Sequence, residues 1–366
     1  MRASTPPSYP QPRVVHSLGA ALGHDETLHA VLPVMRLEFT TTDSYDAAAR
    51  GAHIRRQHRS GHAIKVGLGG YLLLDESELE NTVDPLAIAA ARAIAVGRAN
   101  PSSVVSGEAA AVLHDLPLLE KHLEHPVLLT RAWHGRANAW HRVRRAPLRD
   151  DEVVEQFGVR CTSVARTITD LAGRVSPPQL LALVDAATRR DPGFTLDPRV
   201  PQHRHRLVWV AAHASGRSES IGESISRGLL LARGVEFPHV QATITNEQGK
   251  FIARVDFAHP AGVIGEFDGK VKYGALVPVG KTAADVVMEE KRRENKLRAL
   301  GWTIVRWDWS LLHQPDELTR QVREAIERAS ALPAPRGGVH QRAVSPDQPR
   351  DWETLLGLNA SAPAAF

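Results

Sequence analysis

The chain has one cysteine in 366 residues, so it can hold no internal disulfide framework and no cysteine-based zinc cluster. Cys161 alone fits a reducing compartment. No apolar run approaches the ~18 residues that would span a bilayer, which argues against a membrane partner. The N-terminus also lacks the basic segment and apolar core of a secretory signal, so the expected location is cytoplasmic. Nor is the charge strongly one-sided. Lys and Arg number 45 against 41 Asp and Glu, giving a formal +4 and a sequence pI near 9.4. Such a balance permits nucleic-acid binding without demanding it.

The length predicts two or three domains, at about 100 to 200 residues each. The expected class is α/β (α+β). Residues 1–38 mix Pro, Ser, His and Gly and predict a flexible N-terminus, and 333–366 carry Pro, Gly and Ala with little periodicity, as a flexible tail does. In between, Asp46–Arg50 reads as a short helix, Gly51 as a turn, Ala52–Gly61 as a basic second helix and Lys65–Leu74 as a wing. That order predicts a winged-helix DNA-binding domain over 39–77, with Arg55, Arg56, Arg59 and Lys65 toward the DNA. An α/β domain over 78–190 follows. It includes a helix opened by Asp84 and Pro85 and an apolar-periodic helix over Pro177–Arg190. Arg131–Arg145 interleaves Arg, His and Trp, which suits phosphate contact and base stacking, or equally two exposed strands with solvated charges.

After a linker over 191–205, a domain over 206–332 holds the densest chemistry. Arg254–Ala258 and Val263–Phe267 read as two strands around a turn at Pro260–Gly262. Alternate side chains of a strand share a face, so Glu266 and Asp268 project together and Asp256 can join them. Like charges that close are tolerable mainly with a divalent cation between them. Lys270 or Lys272 would then orient or activate a water beside the metal. Upstream, Ser218–Gly234 predicts a helix N-capped by Ser218, on which Glu219 and Glu223 share a face. Downstream, Ala283–Leu300 predicts an amphipathic helix whose Arg292 and Arg293 can bind phosphates, and Thr303–Trp307 predicts a core strand.

Two resemblances follow from these motifs. The Asp256, Glu266, Asp268, Gly269 and Tyr273 pattern, with Glu290–Trp302 and Thr303–Trp307 behind it, resembles the restriction-endonuclease-like PD-(D/E)XK superfamily, nearest its very-short-patch-repair-type members. The resemblance implies Mg²⁺ or Mn²⁺ on Asp256, Glu266, Asp268 and Glu223, with Glu219 as a substitute for Glu223. Here Asp268 stands where that superfamily has lysine, so Lys270 or Lys272 would supply the lysine function. Residues 40–190, through Ile54–Arg56, Ser60–Gly61, Gly69–Tyr71, Val104–Pro117 and Gly158–Ala172, resemble AbiEi-type antitoxins of type IV toxin–antitoxin systems. That resemblance implies DNA as a partner, and a toxin. Two functions are therefore expected: a DNA-binding, metal-dependent endonuclease, or a transcriptional regulator of the antitoxin type carrying a catalytically inactive nuclease fold.

Overall fold

The computed structural model describes residues 35–40, 45–74, 83–132, 135, 137–196, 203–269, 282–341, 343–344 and 346–358. The architecture is α+β, with three sheets and helices against them. No helix among the described residues is long and apolar enough to cross a membrane.

The first sheet pairs β1 (Arg36–Phe39), β3 (Gly70–Leu73) and β2 (Ala63–Lys65) antiparallel, with α1 (Tyr45–Arg59) between β1 and β2. The expected pair of helices is one helix here. It runs through Gly51, which is buried, because a single glycine costs a helix only about 1 kcal/mol and its neighbours are good helix formers. The sheet also begins at Arg36, ahead of the boundary expected at 39. Arg55, Arg56 and Arg59 lie exposed along α1. Lys65 sits over the rings of Tyr71 and Trp140, at 6.0 and 5.9 Å from their centroids.

The second sheet has the order β6 (His141–Arg145), β5 (Val127–Arg131), β4 (Val104–Ser106), β8 (Val159–Thr162), β7 (Val153–Gln156). Helix α2 (Pro85–Arg98) starts as the sequence predicts, with the Asp84 carboxylate accepting from Leu86 N–H at 2.9 Å. Around this sheet are α3 (Gly107–Leu113), α4 (Val164–Leu171) and α5 (Pro177–Arg190). Arg131 and Arg144 are tied inward, to Asn100 and to Asp170, while Trp133, His134 and Arg136 lie outside the described residues. The span expected as linker is partly packed: Phe194 and Leu196 lie against a core, and α6 (Arg204–His213) begins inside it.

The third sheet carries the chemistry. It begins after α7 (Ile221–Leu231), which packs on α5 through a buried Asp185–Arg227 pair at 2.7 Å. Strands β9 (His239–Thr245), β10 (Phe251–His259) and β11 (Val263–Asp268) form an antiparallel meander, and Phe257 faces Gly265 across the hairpin. Helix α8 (Ala283–Ala299) then crosses over to β12 (Thr303–Asp308), which lies parallel to β11. Val263 belongs to the core packed by α7, and Ile264 to the core packed by Leu297 of α8, so β11 is buried on both faces. Helices α9 (Trp309–Leu312) and α10 (Pro315–Ser330) complete the α7 side.

The span expected to be a flexible tail is instead built into the structure where it is described. Strand β13 (Gly338–Gln341) joins the free edge of β9. Gly337 makes this approach with φ +93°, and a Cβ there would lie 2.0 Å from the Thr245 carbonyl oxygen. Beyond it, α11 (Trp352–Leu355) buries Trp352 completely beside α2 and α3, where its indole N–H donates to Val112 C=O at 3.0 Å. Leu356 C=O accepts from Leu37 N–H. One short strand and one tryptophan anchor a segment whose average composition reads as unstructured.

Candidate functional site

Glu223 is the third residue of α7 and is buried. Ser220, not Ser218, caps this helix, accepting from Glu223 N–H at 3.1 Å. Glu219 therefore precedes the helix. Its backbone N–H donates to Glu223 Oε2 at 2.9 Å, and its own carboxylate pairs with Arg254 on the surface. Ser220 Oγ donates to Glu223 Oε1 at 2.8 Å. The helix comes this close to the sheet because residue 222 is glycine, where a Cβ would stand 1.9 Å from the Phe267 ring.

Opposite Glu223 the sheet is irregular. Gln241 has φ 54°, a left-handed backbone unusual for a non-glycine residue. Val240 and Phe257 pack in one core, while Ala242 and Val255 pack in the other. Residues two apart on a regular strand share a face, so the face changes at Gln241 and Asp256. The outcome is a junction. Gln241 Nε2 donates to Glu223 Oε2 at 2.8 Å and to Asp256 Oδ1 at 3.2 Å, and Asp256 Oδ2 accepts from Phe267 N–H at 2.9 Å.

One amide thus bridges two carboxylates. Burial pushes the Asp256 carboxyl up to about 7, with the Glu223 and Glu266 charges adding to it and the Phe267 and Gln241 hydrogen bonds opposing. Glu223 is also raised, by burial first, against the bonds from Glu219, Gln241 and Ser220. Such a pair favours sharing a proton, or a cation, over carrying two charges. Carboxylate oxygens are the donors a hard divalent cation takes, and Mg²⁺ is commonly held by one or two of them with several waters. The pair fits that ion.

The four carboxylates expected to converge do so only in part: Asp256 meets Glu223 at the junction and feels the Glu266 charge, but Glu266 itself is turned to other partners. Glu266 shares with Ile264 the face covered by α8, whereas Glu223 comes from α7 on the opposite face. Glu266 accepts from Arg293 Nη2 at 2.9 Å and Arg306 Nε at 2.8 Å. The parallel register sets Arg306 directly beside Glu266, and the crossover helix supplies Arg293 together with Glu290, which bonds both arginines. Arg293, expected to meet phosphate, is thereby committed to carboxylates, and its hydrogen bond holds the Glu290 carboxyl below its usual range. Asp268 lies exposed at the end of β11, opposite Asp308. Arg292 is exposed, and so is Val287, expected on the apolar side of this helix with Val286, Leu297 and Leu300. Lys270, Lys272 and Tyr273 lie outside the described residues.

Two participants had no signal in the sequence. Gln241 is an ordinary strand glutamine until its backbone angle is known, and the Arg306 pairing depends on a parallel register that no local pattern encodes. Among the described residues, the group of three ligand-bearing side chains with donor atoms within 4.8 Å lies elsewhere, at Glu108, His122 and His125.

No protein-family profile matches the chain, and no solved structure matches it. It is similar to two uncharacterized proteins, Rv2248 and MT2308, from two strains of Mycobacterium tuberculosis, being 29% identical to each over 180 residues. The matched region is 47% of this chain and 64% of each relative's length.

Proposed function

We propose that this chain is a DNA-binding protein whose third sheet hydrolyses DNA phosphodiesters at a divalent-metal site built on Asp256 and Glu223. The observation that carries the reading is the single Gln241 amide shared by two carboxylates of raised pKa at a break in the sheet. Mg²⁺ or Mn²⁺ bound there would polarise the scissile phosphate and acidify a coordinated water. Asp256 and Glu223 would hold the cation, with Gln241 fixing their spacing. Arg292 would meet the DNA backbone, and Lys270 or Lys272 would position the attacking water. Arg55, Arg56 and Arg59 present an exposed basic strip for the duplex.

Two observations favour the second reading, an antitoxin-type regulator with an inactive nuclease fold and a toxin as partner. Glu266 is already neutralised by two arginines, and aspartate occupies the lysine position of the superfamily. Incubation of purified protein with supercoiled plasmid and Mg²⁺ or Mn²⁺ separates the two. Nicking is expected from wild type, falling to background in Asp256→Ala. Either Lys270→Ala or Lys272→Ala should lose nicking while keeping metal binding. No nicking by wild type with either ion leaves the regulator reading standing.

The DNA-binding half has its own test. Arg55→Ala and Arg56→Ala should each weaken binding and reduce the slope of log affinity against log salt by about one, as loss of one phosphate contact does. An unchanged affinity and slope would make α1 an ordinary solvated helix.

A further inference from the structure

Away from the third sheet, a second cluster has ligands of a different character. Glu108 is the second residue of α3 and is buried. His122 closes a 3-10 turn over Glu120–His122, and His125 stands shortly before β5. One donor atom from each lies within 4.8 Å of the others, and His125 Nδ1 is 3.6 Å from Glu108 Oε1. Ligand atoms on a tetrahedral zinc are about 3.4 Å apart, given bonds of about 2.0–2.1 Å. The cluster is already close to that spacing.

His122 supplies the independent observation. It is only 8% exposed, yet among the described residues neither ring nitrogen has a hydrogen-bond partner. Gln179 lies beside the ring, its amide oxygen accepting from Ser176 N–H, but its amide does not reach either ring nitrogen in normal hydrogen-bond geometry. A buried imidazole without partners on either nitrogen is costly unless something else uses its lone pair. Arg174 donates to Glu108 Oε1 at 2.7 Å, and a carboxylate has lone pairs to spare after one such bond. The cavity lined by Glu108, His122 and His125 measures about 10 Å³. That is space for about one water and too little for a substrate.

We infer that Glu108, His122 and His125 form a zinc site whose fourth ligand is water, closing the connection between α3 and β5. Two imidazoles and one carboxylate suit Zn²⁺, whereas the all-oxygen pair at Asp256 suits Mg²⁺. The site is independent of the one proposed for phosphodiester hydrolysis. Three protein ligands and a water are the set of a catalytic zinc, but the cavity admits no substrate, so the role of the site is to pin the turn before β5 to a buried helix.

The test uses the full chain, stripped with chelator and titrated with Zn²⁺ and with Co²⁺ as a spectroscopic substitute. One equivalent is expected to bind, with the intense visible bands of tetrahedral cobalt. His122→Ala and His125→Ala should each weaken binding by more than about a hundredfold, since even an outer-shell partner of a metal ligand is worth about 10- to 100-fold. His125 is half-exposed, so its replacement leaves the fold in place, and His125→Cys should restore binding by supplying a thiolate. Asp256→Asn should bind zinc as wild type does. The inference is overturned if cobalt shows no tetrahedral spectrum, if wild type binds no zinc, or if His125→Ala keeps wild-type affinity.

Discussion

Asp256→Asn is expected to be more stable than wild type at pH 8 and equal to it near pH 4, in chelator. An unfolded aspartate titrates near 3.9, whereas the folded Asp256 carboxyl is pushed up to about 7. Below pH ~4 both states hold the proton, and the contribution to stability is fully present. Between ~4 and 7 the folded state binds more protons than the unfolded one, so stability falls as pH rises and levels off above 7. Three pK units correspond to about 4 kcal/mol at most. Glu223 is raised as well and adds in the same direction. The asparagine keeps the shape and carries no charge to neutralise; with its oxygen accepting from Phe267 N–H it gives up only the longer bond from Gln241 Nε2, at 3.2 Å. Urea midpoints of both proteins across this range measure the difference. Parallel curves would mean that Asp256 ionises freely and that the junction stores no repulsion.

Trp352→Ala is expected to cost about 3–5 kcal/mol, the usual range for deleting a fully buried tryptophan. The side chain is wholly inaccessible, packs in the core of α2 and α3, and donates its indole N–H to Val112 C=O at 3.0 Å. Its removal leaves both a cavity and an unpaired carbonyl. A chain ending at residue 345 should show a loss at least as large, because Leu356 and its bond to Leu37 N–H go too. Chemical denaturation reads both. A change below about 1 kcal/mol would return the segment to the tail that its composition suggests.

These two residues also mark the limits of what the sequence discloses. The hairpin around Pro260–Gly262 was legible because its alternation and turn chemistry are local, and Gly262 does take φ +89°. Helix α8 and strand β12 stand where the sequence places them, with Gly301 at φ +99° after the helix, but of the expected apolar side only Leu297 is buried. Glu223 and Asp256 could be named as acids of the site, but not their relation, which needs Gln241 in a left-handed backbone. Glu266 shows the opposite failure. Strand alternation places it on a face, yet a parallel partner and a crossover helix decide that arginines meet it there. Trp352 was hidden because packing of one side chain has no periodicity to detect, and His122 with His125 because their carboxylate partner comes from another element.

The decisive property of the Asp256–Glu223 junction is whether it takes a divalent cation. Thermal or chemical unfolding at pH 8, with and without Mg²⁺ or Mn²⁺, measures this without requiring any catalytic activity. A ligand that binds only the folded state stabilises it by about 2.7 kcal/mol at a hundredfold excess over its dissociation constant. Wild type is expected to gain that amount, and Asp256→Asn to gain nothing while starting from a higher stability in chelator. A wild type indifferent to both ions, or an Asp256→Asn variant that responds as wild type does, would contradict a metal site at this junction.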